Sequence, residues 1–291
     1  MSGLLLVALA FAPGVFALWR VYLKKHYRPD PRHLVVRTFL FGIIAALPIV
    51  VVEGLLMKVG GVDASPSTLP AAAFIAFVVA GFAEELGKLL VVKWSAYETP
   101  YFSEPMSGLV FSAASALGFA SIENVGYMIS HGAQVIVPRA VLCVGGHVAF
   151  SALWGYAMGV AKSRRPGGRE LPTIGVGLVG AIAAHGLYDY YLMKPDPNFG
   201  SAVLVFLVVA AVAVFLFRRA VAVSPHKDRF AAPRLTCPGC AAVPNPGARH
   251  CTRCGTALRG LFGDAAKCGK CAAPLMEFSR FCTKCGSFVL Q

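Results

Sequence analysis

Charge is what this chain has least of. Only 14% of its 291 residues are Asp, Glu, Lys or Arg, where ordinary globular domains carry about 25%. Hydrophobic residues make up 57% and the mean hydropathy is +0.66. Such a chain is neither a soluble domain nor a disordered one; it reads as a membrane protein. Cysteine is nearly missing from the first 236 residues, where Cys143 stands alone, so no disulfide framework holds that part together. An HExxH run is absent as well, so no single helix offers the zincin arrangement of ligands and base. The two halves of the apolar region show no internal repeat and no paired broken helices, which argues against the usual build of a secondary transporter.

What is present is a series of apolar runs. Crossing about 30 Å of hydrocarbon takes about 20 apolar residues, and seven runs qualify, near 3 to 19, 36 to 57, 71 to 92, 106 to 127, 135 to 161, 173 to 193 and 200 to 217. The expected fold class is therefore an all-α polytopic membrane protein of about seven spans with a small C-terminal module. The first run lacks a basic n-region and a small-residue cleavage site before Trp19 and Arg20, so it is expected to be a retained helix. Eleven Lys and Arg fall in the loops after runs one, three and five, against Lys58, Arg139 and Lys194 on the opposite side. Short basic loops stay in the cytoplasm, which predicts a multi-pass protein of the cytoplasmic membrane, N-terminus outside and C-terminal tail inside.

Eight of the nine cysteines sit in that tail. After a linker over 218 to 236, CPGCAAVPNPGARHCTRCG at 237 to 255 aligns without gaps on CGKCAAPLMEFSRFCTKCG at 268 to 286. Each copy is CxxC, ten residues, then CxxCG. Two such knuckles bring four thiolates to tetrahedral spacing around one zinc ion, and the final glycine lets the backbone turn beneath the sulfurs. The expected ligands are Cys237, Cys240, Cys251 and Cys254 in one site and Cys268, Cys271, Cys282 and Cys285 in the other, for two structural zinc ions. His250 has Phe281 as its counterpart and is read as a bystander. The tail resembles the double zinc ribbons appended to many prokaryotic proteins. With twelve Lys and Arg against three acidic residues from 218 onward it looks basic, but each four-thiolate zinc site contributes about −2. Nucleic acid is not demanded by this charge, and a protein partner of the ribbons, a substrate, a regulator or the chain's own membrane part are all open.

The apolar runs carry ionisable residues that cost about 2.5–3.5 kcal/mol each to insert at mid-bilayer. GFAEELGKLLVV holds Glu84, Glu85 and Lys88; GFASIENVGY holds Glu123 and Asn124; VGGHVAF holds His147; and His185 and Asp189 are four apart on the sixth run. Lys88 lies at i+4 and i+3 from the two glutamates, so it can neutralise either one and leave the other for acid–base work. Asp189 can hold one nitrogen of His185. Glu53, near the outer end of its run, is expected at the interface, and Cys143 as a small buried hydrophobe.

In this order, EExxK, FxxxEN from Phe119, His147 and HxxxD resemble the PrsW family of intramembrane proteases, itself similar to the CAAX prenyl endopeptidases. Glu123 occupies the place where the CAAX enzymes have a histidine, so prenylated-protein processing is not implied. The resemblance covers about residues 30 to 195. It implies hydrolysis of a peptide bond in a membrane-associated protein, such as an anti-sigma factor. Two chemistries are open. In one, Glu84 activates water, Glu85 and Lys88 set its charge, His147 or His185 stabilises the oxyanion or protonates the amine, and Asn124 donates further. In the other, His147, His185 and a carboxylate hold zinc. Lys88 favours the metal-free version. A carrier or a non-catalytic scaffold are the alternatives. At 1.5 Å per residue the groups lie about 12 Å (Glu84), 18 Å (His185), 21 Å (His147) and 25 Å (Glu123) from the cytoplasmic ends of their runs. That spread ranks Glu123 and Asn124 behind the others.

Overall fold

The computed structural model describes residues 3–24, 30–163 and 170–224, with short pieces of the tail at 239–240, 253–257 and 271. It divides into two units, residues 1–227 and 228–291.

The first unit is helical: α1 Gly3–Lys24, α2 Arg32–Gly60, α3 Leu69–Phe74, α4 Ala83–Val92, α5 Pro105–His131, α6 Ile136–Ser163, α7 Glu170–Met193 and α8 Phe199–Val223. Six of these are long and apolar enough to cross a membrane among the described residues. The seventh expected span is not a simple α-helix. From Leu69 to Tyr97 the backbone stays helical, but Ile75–Phe82 and Lys93–Tyr97 are wound as π-helix on either side of α4. Such wide turns are rare and gather at functional sites. Here they bracket Glu84, Glu85 and Lys88.

Local signals set the ends. Pro105 opens α5 at a position where its missing N–H costs nothing. Gly61 closes α2 with φ of 61°, the left-handed geometry that favours glycine. Thr68 Oγ1 accepts from Ala71 N at 3.3 Å and starts α3.

The centre of the unit is α5. Its most apolar 18-residue window is 94% buried, where that of α8 is 6% buried. Helices α1, α2, α4, α6 and α8 pack against α5, while α7 packs on α6, α8 and the first π-helical segment. Small residues permit the close approach, as is usual between helices in lipid. A Cβ on Gly108 of α5 would lie 2.0 Å from the Gly155 carbonyl oxygen of α6, and one on Gly118 would lie 2.0 Å from that of Phe39 in α2. The crossing that matters most for the site joins the first π-helical segment to α7. A Cβ on Gly81 would stand 3.0 Å from the Ile182 carbonyl oxygen, and one on Gly186 would stand 2.9 Å from Phe77 Cα. This notch sets His185 beside the glutamates.

In the second unit, Gly255 has φ of 75°, the turn expected after a CxxC knuckle. A Cβ on Gly239 would lie 2.3 Å from Thr256 Oγ1 and 3.5 Å from Cys254 Sγ, so Gly239 lies close against the second knuckle of its repeat. Cys237, Cys251, Cys268, Cys282, Cys285 and His250 lie outside the described residues.

Candidate active site

The polar residues of four helices, α4, α5, α6 and α7, meet inside the bundle. Lys88 lies at the middle, 1% exposed. Its Nζ donates to Glu84 Oε2 at 2.8 Å, to Glu85 Oε1 at 2.9 Å and to His147 Nδ1 at 2.9 Å, and it lies 4.4 Å from the centre of the Phe119 ring. The sequence expectation that the lysine serves one carboxylate and releases the other is corrected: it binds both at once, because its three ammonium protons point to three acceptors.

The two glutamates nonetheless differ. Glu85 is fully buried and saturated. His185 Nδ1 lies 3.1 Å from its Oε1, while Ser151 Oγ and Trp154 Nε1 donate to its Oε2 at 2.8 and 2.9 Å. Glu84 is 7% exposed, and among the described residues Lys88 is its one hydrogen-bond partner. His147 Nδ1 and His185 Nε2 approach Glu84 Oε2 at 3.7 and 3.9 Å. Glu85 is thus the anchor, and Glu84 has spare acceptor capacity beside both imidazoles.

His185 Nε2 also stands 3.3 Å from Asp189 Oδ2, the i, i+4 pairing expected from sequence, and its ring stacks on Phe150 at 4.9 Å. His147 Nε2 lies 2.8 Å from Glu123 Oε2. Glu123 is therefore in direct contact with the cluster, against its low sequence ranking. The expected depths disagreed because α4 does not end at Val92. The helical backbone runs on to Tyr97, and with the observed ends Glu84 lies about 20 Å in, His185 about 22 Å, His147 about 24 Å and Glu123 about 27 Å.

Asn124 is engaged elsewhere. Its Nδ2 donates to the Ala10 carbonyl of α1 at 3.3 Å and its Oδ1 accepts from Arg139 Nε at 2.8 Å, so its amide joins α5 to α1 and α6. Arg139 itself is not an outer-loop charge, as its sequence position suggests; it lies in the first turn of α6, 8% exposed. Glu53 is half-buried in α2. Cys143 is half-buried as well, its sulfur 4.0 Å from the Tyr188 hydroxyl.

Ser151, Trp154 and Arg139 join the site without standing out in the sequence. A signal existed: Arg139, Cys143, His147, Ser151 and Trp154 recur at helical spacing and share one face of α6.

This assembly of two glutamates, a lysine and two histidines from separate spans can be set beside known proteins. The PrsW family intramembrane metalloprotease model matches residues 30–217. The chain belongs to the PrsW family. It is 35% identical to Protease PrsW of Geobacillus kaustophilus over 191 residues, 66% of this chain and 81% of that one. It is 32% identical to Protease PrsW of Bacillus subtilis over 189 residues, 64% of this chain and 82% of that one. A double zinc ribbon model matches 237–286, so this PrsW protein is a membrane-embedded protease carrying a double zinc ribbon. No solved structure matches the chain.

The family description names a metal, and the PrsW cluster offers a set of donors for one. Single ligand atoms of Glu84, His147 and His185 all lie within 4.8 Å of one another, and two histidines with a glutamate are a known catalytic zinc set. Four carboxylates (Glu84, Glu85, Glu123, Asp189) against Lys88 and Arg139 also leave two positive charges to be supplied by protons or by a dication. Opposing this, Lys88 Nζ already contacts two of the three donor groups. The donor types and spacing fit a zinc ion; the ammonium beside them competes with it.

Proposed function

We propose that the chain hydrolyses a peptide bond in a membrane-associated protein with water activated by Glu84. The observation carrying this reading is the contrast within the glutamate pair: Glu85 is saturated by four donors while Glu84 retains acceptor capacity next to two imidazoles. Water placed against Glu84 gives its proton to the carboxylate as its oxygen bonds to the scissile carbonyl carbon. The C–N bond then breaks, and the amine leaves with a proton. His185 is the donor for this step: both its nitrogens face carboxylates, so both are disposed as donors, whereas His147 Nδ1 accepts from Lys88. Lys88 holds Glu84 in place and offsets its charge.

A second reading is favoured by the spacing of Glu84, His147 and His185. These three would hold a zinc ion, which supplies Lewis acidity and lowers the pKa of water to about 7. Displacing Lys88 Nζ from Glu84 and His147 would be a condition of it.

The remaining expectations belong to the same proposal. The N-terminus lies outside and the ribbons lie in the cytoplasm, where they recruit a protein partner or substrate; removing Arg139 from the outer tally sharpens the Lys and Arg bias behind this orientation. Regulated cleavage of an anti-sigma factor is the substrate class the family resemblance suggests.

Direct attack by water is tested with a quenched single-span reporter cleaved by the reconstituted protein in H₂¹⁸O. In a single turnover the new carboxyl terminus is expected to carry one ¹⁸O, with the intact enzyme mass unchanged throughout. Trapping of a covalent acyl-enzyme would contradict the proposal.

A further inference from the structure

The cluster's outer edge holds a guanidinium that the proposed chemistry does not use. Arg139 Nη2 stands 3.1 Å from Glu123 Oε1, its Nε donates to Asn124 Oδ1 at 2.8 Å, and its Cζ lies 3.7 Å over the Tyr127 ring. Two adjacent residues of α5 are therefore held from α6 by one planar group, Asn124 through a hydrogen bond and Glu123 through an ion pair in which Nη2 is outside hydrogen-bond geometry, a two-point hold that an ammonium cannot reproduce. Asn124 in turn is tied to α1 through Ala10, so the grip has a fixed backing. The other oxygen of Glu123, Oε2, meets His147 Nε2 at 2.8 Å.

The chain of contacts fixes the proton on His147. An ammonium only donates, so Lys88 at 2.9 Å makes Nδ1 the acceptor nitrogen. A carboxylate ion-paired to a guanidinium only accepts, so Glu123 makes Nε2 the donor. Both ends give the same assignment: Nε2 is the donor of His147 and Nδ1 its acceptor. A carboxylate behind an imidazole is the usual device for setting which nitrogen works.

We propose that Arg139 is a positioning residue of the reaction: by clamping Glu123 and Asn124 it locks His147 in the tautomer that presents its Nδ1 lone pair to the Lys88 ammonium, beside Glu84. Without the clamp, Glu123 can swing away from His147 Nε2, and His147 loses its reason to keep Nδ1 bare. This inference rests on the cluster being the hydrolytic site. Arg139 touches neither Glu84 nor the water it would activate, so it acts on kcat and not on substrate affinity.

Three readouts test it. Arg139→Ala is expected to lower kcat on the reporter about 10–100-fold, in the range found for groups that orient a working histidine, with KM unchanged and with partial recovery on adding guanidinium ion. In a Glu123→Gln background the same substitution is expected to change kcat less than about twofold, since residues acting through one another are non-additive. Nitrogen NMR of ¹⁵N-histidine-labelled protein is expected to show Nε2-protonated His147 in the wild type and a tautomer mixture in Arg139→Ala. Wild-type kcat in Arg139→Ala, a full additional loss in the Glu123→Gln background, or an unchanged His147 tautomer would each overturn the proposal. Where Arg139→Ala fails to fold, Arg139→Lys takes its place: a lower kcat is expected from loss of the two-point grip, and wild-type kcat overturns the proposal. The NMR readout stands apart from catalysis, so an active Glu84→Gln variant would remove the protease site while leaving the Arg139 clamp to be judged by the tautomer.

Discussion

Glu84→Gln is expected to lower reporter cleavage by about 10²–10⁴-fold, the usual worth of a positioned general base, while the protein still folds and keeps its stability within about 1 kcal/mol of wild type. The amide is nearly isosteric, and its oxygen can still accept from Lys88 at the 2.8 Å contact. It cannot take a proton from water. Glu85→Gln is expected to behave differently. Glu85 Oε1 faces Lys88 and His185 while Oε2 receives Ser151 and Trp154, so an amide must turn its NH₂ toward groups that donate. Two donors then lose their acceptor in a buried site, at about 1–3 kcal/mol each and more where one is charged. The pair of variants separates chemistry from architecture: activity alone falls in the first, stability and activity together in the second. A Glu84→Gln variant that cleaves at the wild-type rate ends the assignment of Glu84 as base.

Lys88→Met is expected to have the largest effect on stability of any single change in the site. Removing one partner of a buried ion pair costs about 3–5 kcal/mol, because the charge left behind has neither water nor a counter-ion. Here one ammonium serves two carboxylates and an imidazole. Methionine keeps the length and the contact with Phe119, so the loss reports the charge and not a cavity. The measurement is equilibrium unfolding in mixed micelles. A stability within about 1 kcal/mol of wild type would show that the ammonium is not what holds Glu84 and Glu85 together.

Much of this is legible in the sequence, for identifiable reasons. Polar residues in lipid stand out against an apolar background, so Glu84, Glu85, Lys88, His147, His185 and Asp189 can be picked out by eye. The tail is readable because four cysteines repeated without gaps, at the spacing of metal ligands, point to one chemistry, tetrahedral zinc. What stays hidden depends on winding and on which way a side chain turns. The π-helical turns before and after α4 leave no mark in hydropathy, so from sequence the third span reads too short and Glu84 too shallow. Glu123 drops in rank for the same reason. Arg139 looks like a loop charge because it sits one turn inside α6, where a basic residue usually reaches for water. Only the fold shows it turned inward onto Glu123 and Asn124. Ser151 and Trp154 lie four and seven residues after His147; their common face is visible in the sequence once Glu85 is known to need donors.

The central claim is that water is activated by the Glu84 carboxylate beside Lys88. Metal content and reporter cleavage measured on the same samples, for the full chain and for a chain ending at Ser224, test it most directly. Zinc is expected to bind the full chain at two ions, matching its eight tail cysteines, to be absent from the shortened chain, and the shortened chain is expected to cleave without it. One tightly held ion in the shortened chain, with cleavage lost on its removal and restored by zinc, would contradict the claim.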